Sequence, residues 1–257
     1  MKPFVPAFSC TLVCVACLNL EQPTPTTTSR LVIHAVLQPH SAVIILVNRS
    51  RNGLQSTTAR GIGDDEPVTG ALVTVSFPTG EIRTAQEGLL CACPGQYGLP
   101  VSDNDVLPGA AFTLHVHTTS GEDAAGTTSI PSAPLRPIVD GPRVFLRMSD
   151  TLRLRWAPVL GASSYEVVVS SFGSITYRAF ADTTVVIPGT ALTIGGDLIL
   201  PPSGRLRVTV AAVDKNYYEY YRAQSDPFAG APPSHLLGAV GVFGSIAPII
   251  IETLDVR

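Results

Sequence analysis

Charge is what this sequence has least of. Lys, Arg, Asp and Glu make up 14% of its 257 residues, against roughly 25% in an average soluble domain. The formal net charge is −3, and no run of Lys or Arg offers nucleic acid an electrostatic footprint. Low-complexity tracts and short-period repeats are missing. So are the motifs of common chemistries: no G-x-S-x-G elbow, no H-E-x-x-H, no P-loop and no dinucleotide fingerprint. No His lies in a motif that would poise a nucleophile, so the residues predict a non-catalytic body without a cofactor. Beyond residue 20 no apolar stretch is long enough to span a bilayer; the segment 246–251 is only strand-sized.

Turn formers and β-branched residues are plentiful instead. Gly and Pro each occur 22 times, and Val, Ile and Thr are frequent. β-Branched side chains fit pleated sheets, while Gly and Pro fit tight turns. That composition predicts an all-β fold of many short strands.

The N-terminus carries an address. Met1 and Lys2 precede an uncharged apolar stretch, 3–16, that closes on Val13-Cys14-Val15-Ala16-Cys17. A short basic start, an apolar segment and a small residue before the cut mark a secretory signal peptide. A Cys just after that small residue resembles the lipobox of bacterial lipoproteins, with Cys14 where Leu is usual. The resemblance implies removal of residues 1–16 and diacylation of Cys17, hence a lipid-anchored chain at the cell envelope. Leu18 is not acidic, which points to the outer membrane of a Gram-negative-type bacterium. A membrane-spanning anchor over 3–20 and a plain signal peptide are the rival readings. Residues 17–29, polar and rich in Pro and Thr, are read as a flexible tether.

Two folded units follow. In the first, 30–129, strand-sized apolar runs lie at 31–37, 42–47 and 67–77, with a Pro78-Thr79-Gly80 turn, a return strand near 81–84, and further segments at 95–100 and 107–116. Turn signals every eight to twelve residues indicate a sandwich. The order "P-V-x-G-A-x-V-x-V, turn, G-x-Y-x-L, P-G-x-x-F-x-L-x-V" resembles the transthyretin-like or carboxypeptidase-regulatory-like β-sandwich. A Pro/Ser/Thr-rich joint covers 124–140, with the linker proper at 130–140.

In the second unit, 141–257, the run 151–158 alternates, so Leu152, Leu154 and Trp156 should face inward and Arg153 and Arg155 outward. The pattern "L-x-L-x-W-x-P…G-A-x-S-Y-x-V-x-V" resembles the B and C strands of a fibronectin type III domain. Residues 206–213 look like its F strand, with Leu206 where a Tyr is usual, and 246–256 would supply strand G. An insertion, 214–245, separates F from G; it opens with Asn216-Tyr217-Tyr218-Glu219-Tyr220-Tyr221-Arg222 and closes with Gly238-Ala239-Val240-Gly241-Val242-Phe243-Gly244-Ser245. The expected architecture is therefore two tandem β-sandwich (Ig-like/fibronectin type III-like) domains behind a lipoprotein signal peptide. Lipobox, sandwich, fibronectin-like unit and the "Y-Y-x-Y-Y-R…G-V-G-V-F-G-S" insertion together resemble the uncharacterised envelope lipoproteins of the domain-of-unknown-function 4249 type.

The candidate binding surface is Tyr217, Tyr218, Tyr220, Tyr221 and Phe243. Tyrosines are favoured at interfaces and sugar platforms, although packing of at least two of the four rings onto the sandwich is the plainer expectation. His115 and His117 should share the outer face of a strand, a possible metal pair without an identifiable third ligand. Asp64-Asp65-Glu66 and Asp103-Asn104-Asp105 match no known calcium loop. Arg153, Arg155, Arg205 and Arg207 project outward, as anion binders or as charges that discourage sheet aggregation. Cys91 and Cys93 should fall on one face of a strand, as a local disulfide or a pair of buried thiols rather than a zinc site.

These features predict a structural or protein-interaction module anchored to the membrane through Cys17, with an envelope protein as partner and no nucleic acid. The alternatives are a glycan or small-ligand binding module for nutrient uptake, and an unrecognised envelope hydrolase.

Overall fold

The computed structural model describes residues 29–50, 65–102, 105–140, 151–171, 174–188, 193–194, 197–198, 204–226 and 231–256. Cys17, the leader and the tether before Ser29 lie outside the described residues, as do Asp64, Asp103 and Asn104. The protein is all-β, with one helix among the described residues.

The first unit contains β1 (Leu31–Leu37), β2 (Val43–Arg49), β3 (Glu66–Pro67), β4 (Leu72–Ser76), β5 (Ile82–Glu87), β6 (Gln96–Leu99), β7 (Ala111–His117) and β8 (Asp123–Ser129). Period-two alternation decides which way each strand faces. On β1, Leu31, Ile33, Ala35 and Leu37 are all buried; on β7, Phe112, Leu114 and Val116 are buried. Strand β5 bends from one sheet to the other: Ile82 to Ala85 pair with β4, whereas Gln86 and Glu87 pair with β6. Two layers result, β1-β2-β6 facing β5-β4-β7-β8. The buried Tyr97 locks one corner, its hydroxyl donating to Val68 O (2.8 Å) and accepting from Ala71 N (2.9 Å).

The second unit contains β9 (Ile138–Asp140), β10 (Thr151–Arg155), β11 (Ser164–Ser171), β12 (Ser174–Ala181), β13 (Thr184–Pro188), the short pair β14 (Thr193–Ile194) and β15 (Asp197–Leu198), β16 (Gly204–Val213), helix α1 (Lys215–Ser225) and β17 (Val240–Val256). One sheet is β9-β10-β13 and the other β12-β11-β16-β17. The strands expected as B, C and F are thus β10, β11 and β16. Leu152, Leu154 and Trp156 face inward as the alternation predicts. Trp156 meets Tyr165 edge-on at 5.4 Å, a geometry that adds about 1 kcal/mol to the burial itself.

Strand β17 departs from the expected plan. Its second half pairs antiparallel with β16 from Ile246 to Val256 and is the expected strand G. Its first half, Val240 to Ser245, pairs in parallel with β1 of the first unit. One strand therefore runs through both sandwiches and fuses their sheets. The end of the expected insertion is strand rather than loop. Glycine misled the reading: Gly241 (φ +113°) is where β17 crosses the Ile33 carbonyl so closely that a Cβ would collide with it. Here glycine marks close backbone approach, not a turn. Pro248 lies in the second half, where β17 is an edge strand and needs no second ladder donor.

The joint also needs correction. Residues 123–129 form β8 and 138–140 form β9. Ile130 is buried with Pro131, Pro134 and Pro137, and Ser132 N donates to Leu160 O at 3.0 Å. The connection is packed down rather than loose.

Candidate functional site

Helix α1 lies over the outer face of the fused sheet where the two units meet. Asp214 caps it, Oδ1 accepting from Tyr217 N at 2.9 Å. The same carboxylate accepts from Ser245 N (3.0 Å) through Oδ1 and from the Thr128 hydroxyl (2.7 Å) through Oδ2. One side chain thereby ties α1, β17 and β8 together. Asn216 Nδ2 adds bonds to Thr127 O (2.7 Å) and Phe243 O (2.9 Å), and the Ser245 hydroxyl donates to Ser129 O at 2.7 Å. Gly244 lets the helix approach: a Cβ there would stand 2.8 Å from Tyr217 N.

The tyrosines lock this seam from within. Tyr217 and Tyr220 are buried, while Tyr218 and Tyr221 are half-buried. The Tyr217 hydroxyl donates to Glu166 Oε2 of β11 at 3.0 Å, and the Tyr221 hydroxyl bonds His34 Nε2 of β1 at 2.6 Å. Their rings lie 4.4 Å apart, so neighbouring turns of one helix grip opposite units. Tyr218 stacks edge-on against Phe180 of β12 at 5.3 Å, with its hydroxyl accepting from Arg222 at 2.8 Å. Phe243 is 1% exposed. The expected contact surface is thus largely internal, and Tyr217, Tyr220 and Phe243 offer nothing to a partner. Their rings are needed to cover sheet that alternation alone would leave wet.

Burial sets the electrostatics. Desolvation pushes the Glu166 carboxyl above the usual range; the nearby Arg178 guanidinium and the Tyr217 hydrogen bond oppose that shift. Arg178 Nε stands 3.0 Å from Glu166 Oε1, at ion-pair distance without hydrogen-bond alignment. Asp214 is likewise raised by burial, against the hydrogen bonds it accepts. Burial lifts the Tyr217 and Tyr221 phenols well above the ordinary tyrosine range, so both stay protonated. Burial also holds the His34 imidazole below its usual value. Chemically, the cluster is a hydrogen-bonded clamp in which the neutral Tyr217 phenol holds the buried Glu166 carboxyl and the neutral Tyr221 phenol pairs with His34.

The other predicted residues are scattered. His115 and His117 do share the outer face of β7, beside a depression of about 220 Å³ lined also by Asp123 and Leu237. His117 Nδ1 bonds Asp123 Oδ1 at 2.7 Å. Among the described residues no cluster of three or more His, Cys, Asp or Glu is placed to hold a metal ion. Asp105 is held by Arg83 (2.6 Å), which also pairs with Glu81 (2.7 Å), and this pairing keeps the Asp105 carboxyl well below the carboxylate range. Glu66 is exposed on β3. Arg153 and Arg155 lie exposed on β10 and Arg207 on β16, two different sheets. The Arg205 side chain lies outside the described ones. Cys91 and Cys93 form a disulfide, in the β5–β6 loop and not on a strand.

Sequence reasoning missed His34, Glu166, Arg178 and Asp214. Asp214 had a signal: Asp immediately before a helical pattern is a preferred N-cap. Glu166 had none, because on an alternating strand it reads as a solvent-facing residue.

The family model described as Domain of unknown function (DUF4249) matches residues 19–247. The chain belongs to this family. The match runs across both sandwiches and includes α1 and the parallel half of β17, so the fused seam lies inside the family's extent. No curated protein matches the chain. Solved structures similar to it include the FN1–FN3 domains of chicken CNTN1, at 14% identity and a TM-score of 0.21, covering 88% of this chain and 66% of that one. A second is a Ca2+-stabilized adhesin that helps an Antarctic bacterium reach out and bind ice, at 12% identity and a TM-score of 0.24, covering 89% of this chain and 49% of that one. At those scores neither neighbour carries an argument about function, and no helix among the described residues is long and apolar enough to cross a membrane.

Proposed function

We propose that the chain is a non-catalytic envelope lipoprotein. In it a carboxypeptidase-regulatory-like sandwich and a fibronectin type III-like sandwich are joined into one rigid body that engages an envelope protein. The observation that carries this reading is β17, shared by both sheets and clamped by α1. Independent beads on a flexible string do not need such a seam; a spacer that transmits position or force does. The aromatic platform of a sugar-binding reading is consumed by the clamp, since Tyr217 and Tyr220 are buried.

Anchoring through Cys17 would orient the body. Strand β1 starts beside Val240 and ends beside Ser245, at the seam. Ser29 and Arg30 are fastened to Ser50 at the opposite pole. The tether therefore enters far from the second unit, so a lipid on Cys17 sets the first sandwich next to the membrane and the second outward. Residues 18–29 reach at most about 40 Å when extended.

Mass spectrometry of the mature N-terminus together with in-cell crosslinking tests this. The expected result is a diacylated Cys17, with protein crosslinks concentrated on the second unit. Recovery of an unprocessed chain beginning at Met1, or crosslinks to lipid alone, contradicts it.

A further inference from the structure

The loop between β5 and β6, residues 88–95, reads Gly88-Leu89-Leu90-Cys91-Ala92-Cys93-Pro94-Gly95 and contains the Cys91–Cys93 disulfide. Its frame is fixed without the sulfurs. Gly88 N donates to Gln96 O (3.0 Å), Gln96 N to Cys93 O (3.2 Å), and Val47 N to Gly95 O (2.8 Å). Gly95 N donates to Glu87 Oε1 at 3.0 Å, and the other oxygen of Glu87 accepts from Gly70 N at 2.9 Å. Gly88 (φ +75°) and Gly95 (φ +72°) take the left-handed turns that bracket the loop.

A bridge across a sequence separation of 2 removes very little chain entropy, because loop-closure entropy grows with the length enclosed. Stability is thus a poor reason for this disulfide. Its setting suits exchange instead: Cys93 is exposed and Cys91 half-buried, and accessible disulfides are the labile ones. Leu89 and Leu90 fold over Gly98 of β6, where a Cβ would stand 2.9 Å from Leu89 Cβ, yet remain 44% and 46% exposed. They leave a partly exposed apolar surface immediately before the two cysteines in the same loop, a fit for an unfolded or extended polypeptide.

We propose that Cys91–Cys93 is a thiol–disulfide exchange site for cysteine-bearing polypeptides with apolar flanks. A substrate thiolate attacks the exposed Cys93 Sγ, the Cys91–Cys93 bond breaks, and Cys91 leaves as a thiolate that takes up a proton. A second substrate thiol, deprotonated, then attacks its own sulfur in the mixed disulfide and releases Cys93. The substrate dithiol is oxidised to a disulfide and the loop is reduced to two thiols, a balanced two-electron transfer. The site does not depend on lipidation of Cys17.

The test uses the full chain in detergent, equilibrated in glutathione buffers, acid-quenched, alkylated and read at Cys91 and Cys93 by peptide mass spectrometry. The expected result is interconversion of both forms in the folded protein, with the melting temperature moving by less than about 5 °C on reduction. In a Cys91→Ser variant, the Cys93 thiolate should attack an apolar cysteine peptide supplied as its symmetrical disulfide, releasing one peptide thiol, and accumulate mixed disulfide several-fold more than with a polar peptide disulfide, and Leu89→Asp with Leu90→Asp should abolish that preference. A bridge that resists glutathione until the chain unfolds, reduction that collapses the first sandwich, or equal trapping of both peptides overturns the proposal.

Discussion

Two connections join the sandwiches, and they differ in kind. The first, at 130–137, is proline-rich and held by buried prolines and the Ser132–Leu160 backbone bond. The second, at the seam, is a continuous strand roofed by a helix whose Asp214, Tyr217 and Tyr221 bond to β8, β11 and β1. Composition advertises the first as a boundary and disguises the second as an insertion. A boundary drawn where prolines collect can miss the place where two units are joined, because the join rests on close backbone approach and buried polar pairs.

Substitutions at the two crossings should separate them. The largest effect is expected from Gly241→Val, which forces a side chain into the Ile33 carbonyl at a positive φ; a loss of roughly 4 kcal/mol or outright misfolding is expected, read by chemical denaturation. Asp214→Ala removes the helix cap and strands the Ser245 and Tyr217 amides, for about 2–4 kcal/mol. Tyr217→Phe deletes only the hydroxyl on Glu166 and should cost about 1–3 kcal/mol, with a double-mutant cycle against Glu166→Gln showing non-additivity. At the other crossing, Pro134→Ala should change stability by less than about 1 kcal/mol. If the proline substitution proved as damaging as the seam substitutions, the distinction between crossings would fail.

The seam also titrates. His34 has a folded pKa below its ordinary 6.5, so below that pH the unfolded chain binds the proton more readily and stability falls as pH drops toward the folded value. The slope is at most about 1.4 kcal/mol per pH unit. Glu166, raised by burial, works the other way: its penalty shrinks as pH falls into the range where the buried carboxyl takes up a proton. Thermal melts of His34→Gln should lose the decline just below pH 6.5 that the parent shows; an unchanged profile would remove His34 from the account.

Much of the fold was legible. Alternation located β7 and β10 with their inward faces, because each carries large apolar residues at every second position, and strand-sized apolar runs located β1, β2 and β4. Strand β8 was not legible: Ala124, Gly126 and Thr128 face inward there, small because Leu236 packs so near Gly126 that a Cβ would stand 2.6 Å away. The same small-residue logic hid the first half of β17. At the site, the tyrosine cluster was legible as a group, but neither the Asp214 cap nor what the rings touch was read from it. Their partners, His34 and Glu166, come from strands far away in sequence, and no local pattern records that pairing.

The central claim is that β17 and α1 make the two sandwiches one cooperative body. Differential scanning calorimetry tests it most directly. A single transition with equal calorimetric and van't Hoff enthalpies is the expected result, resolving into two transitions in Tyr217→Ala; two independent transitions in the unmodified chain would contradict it.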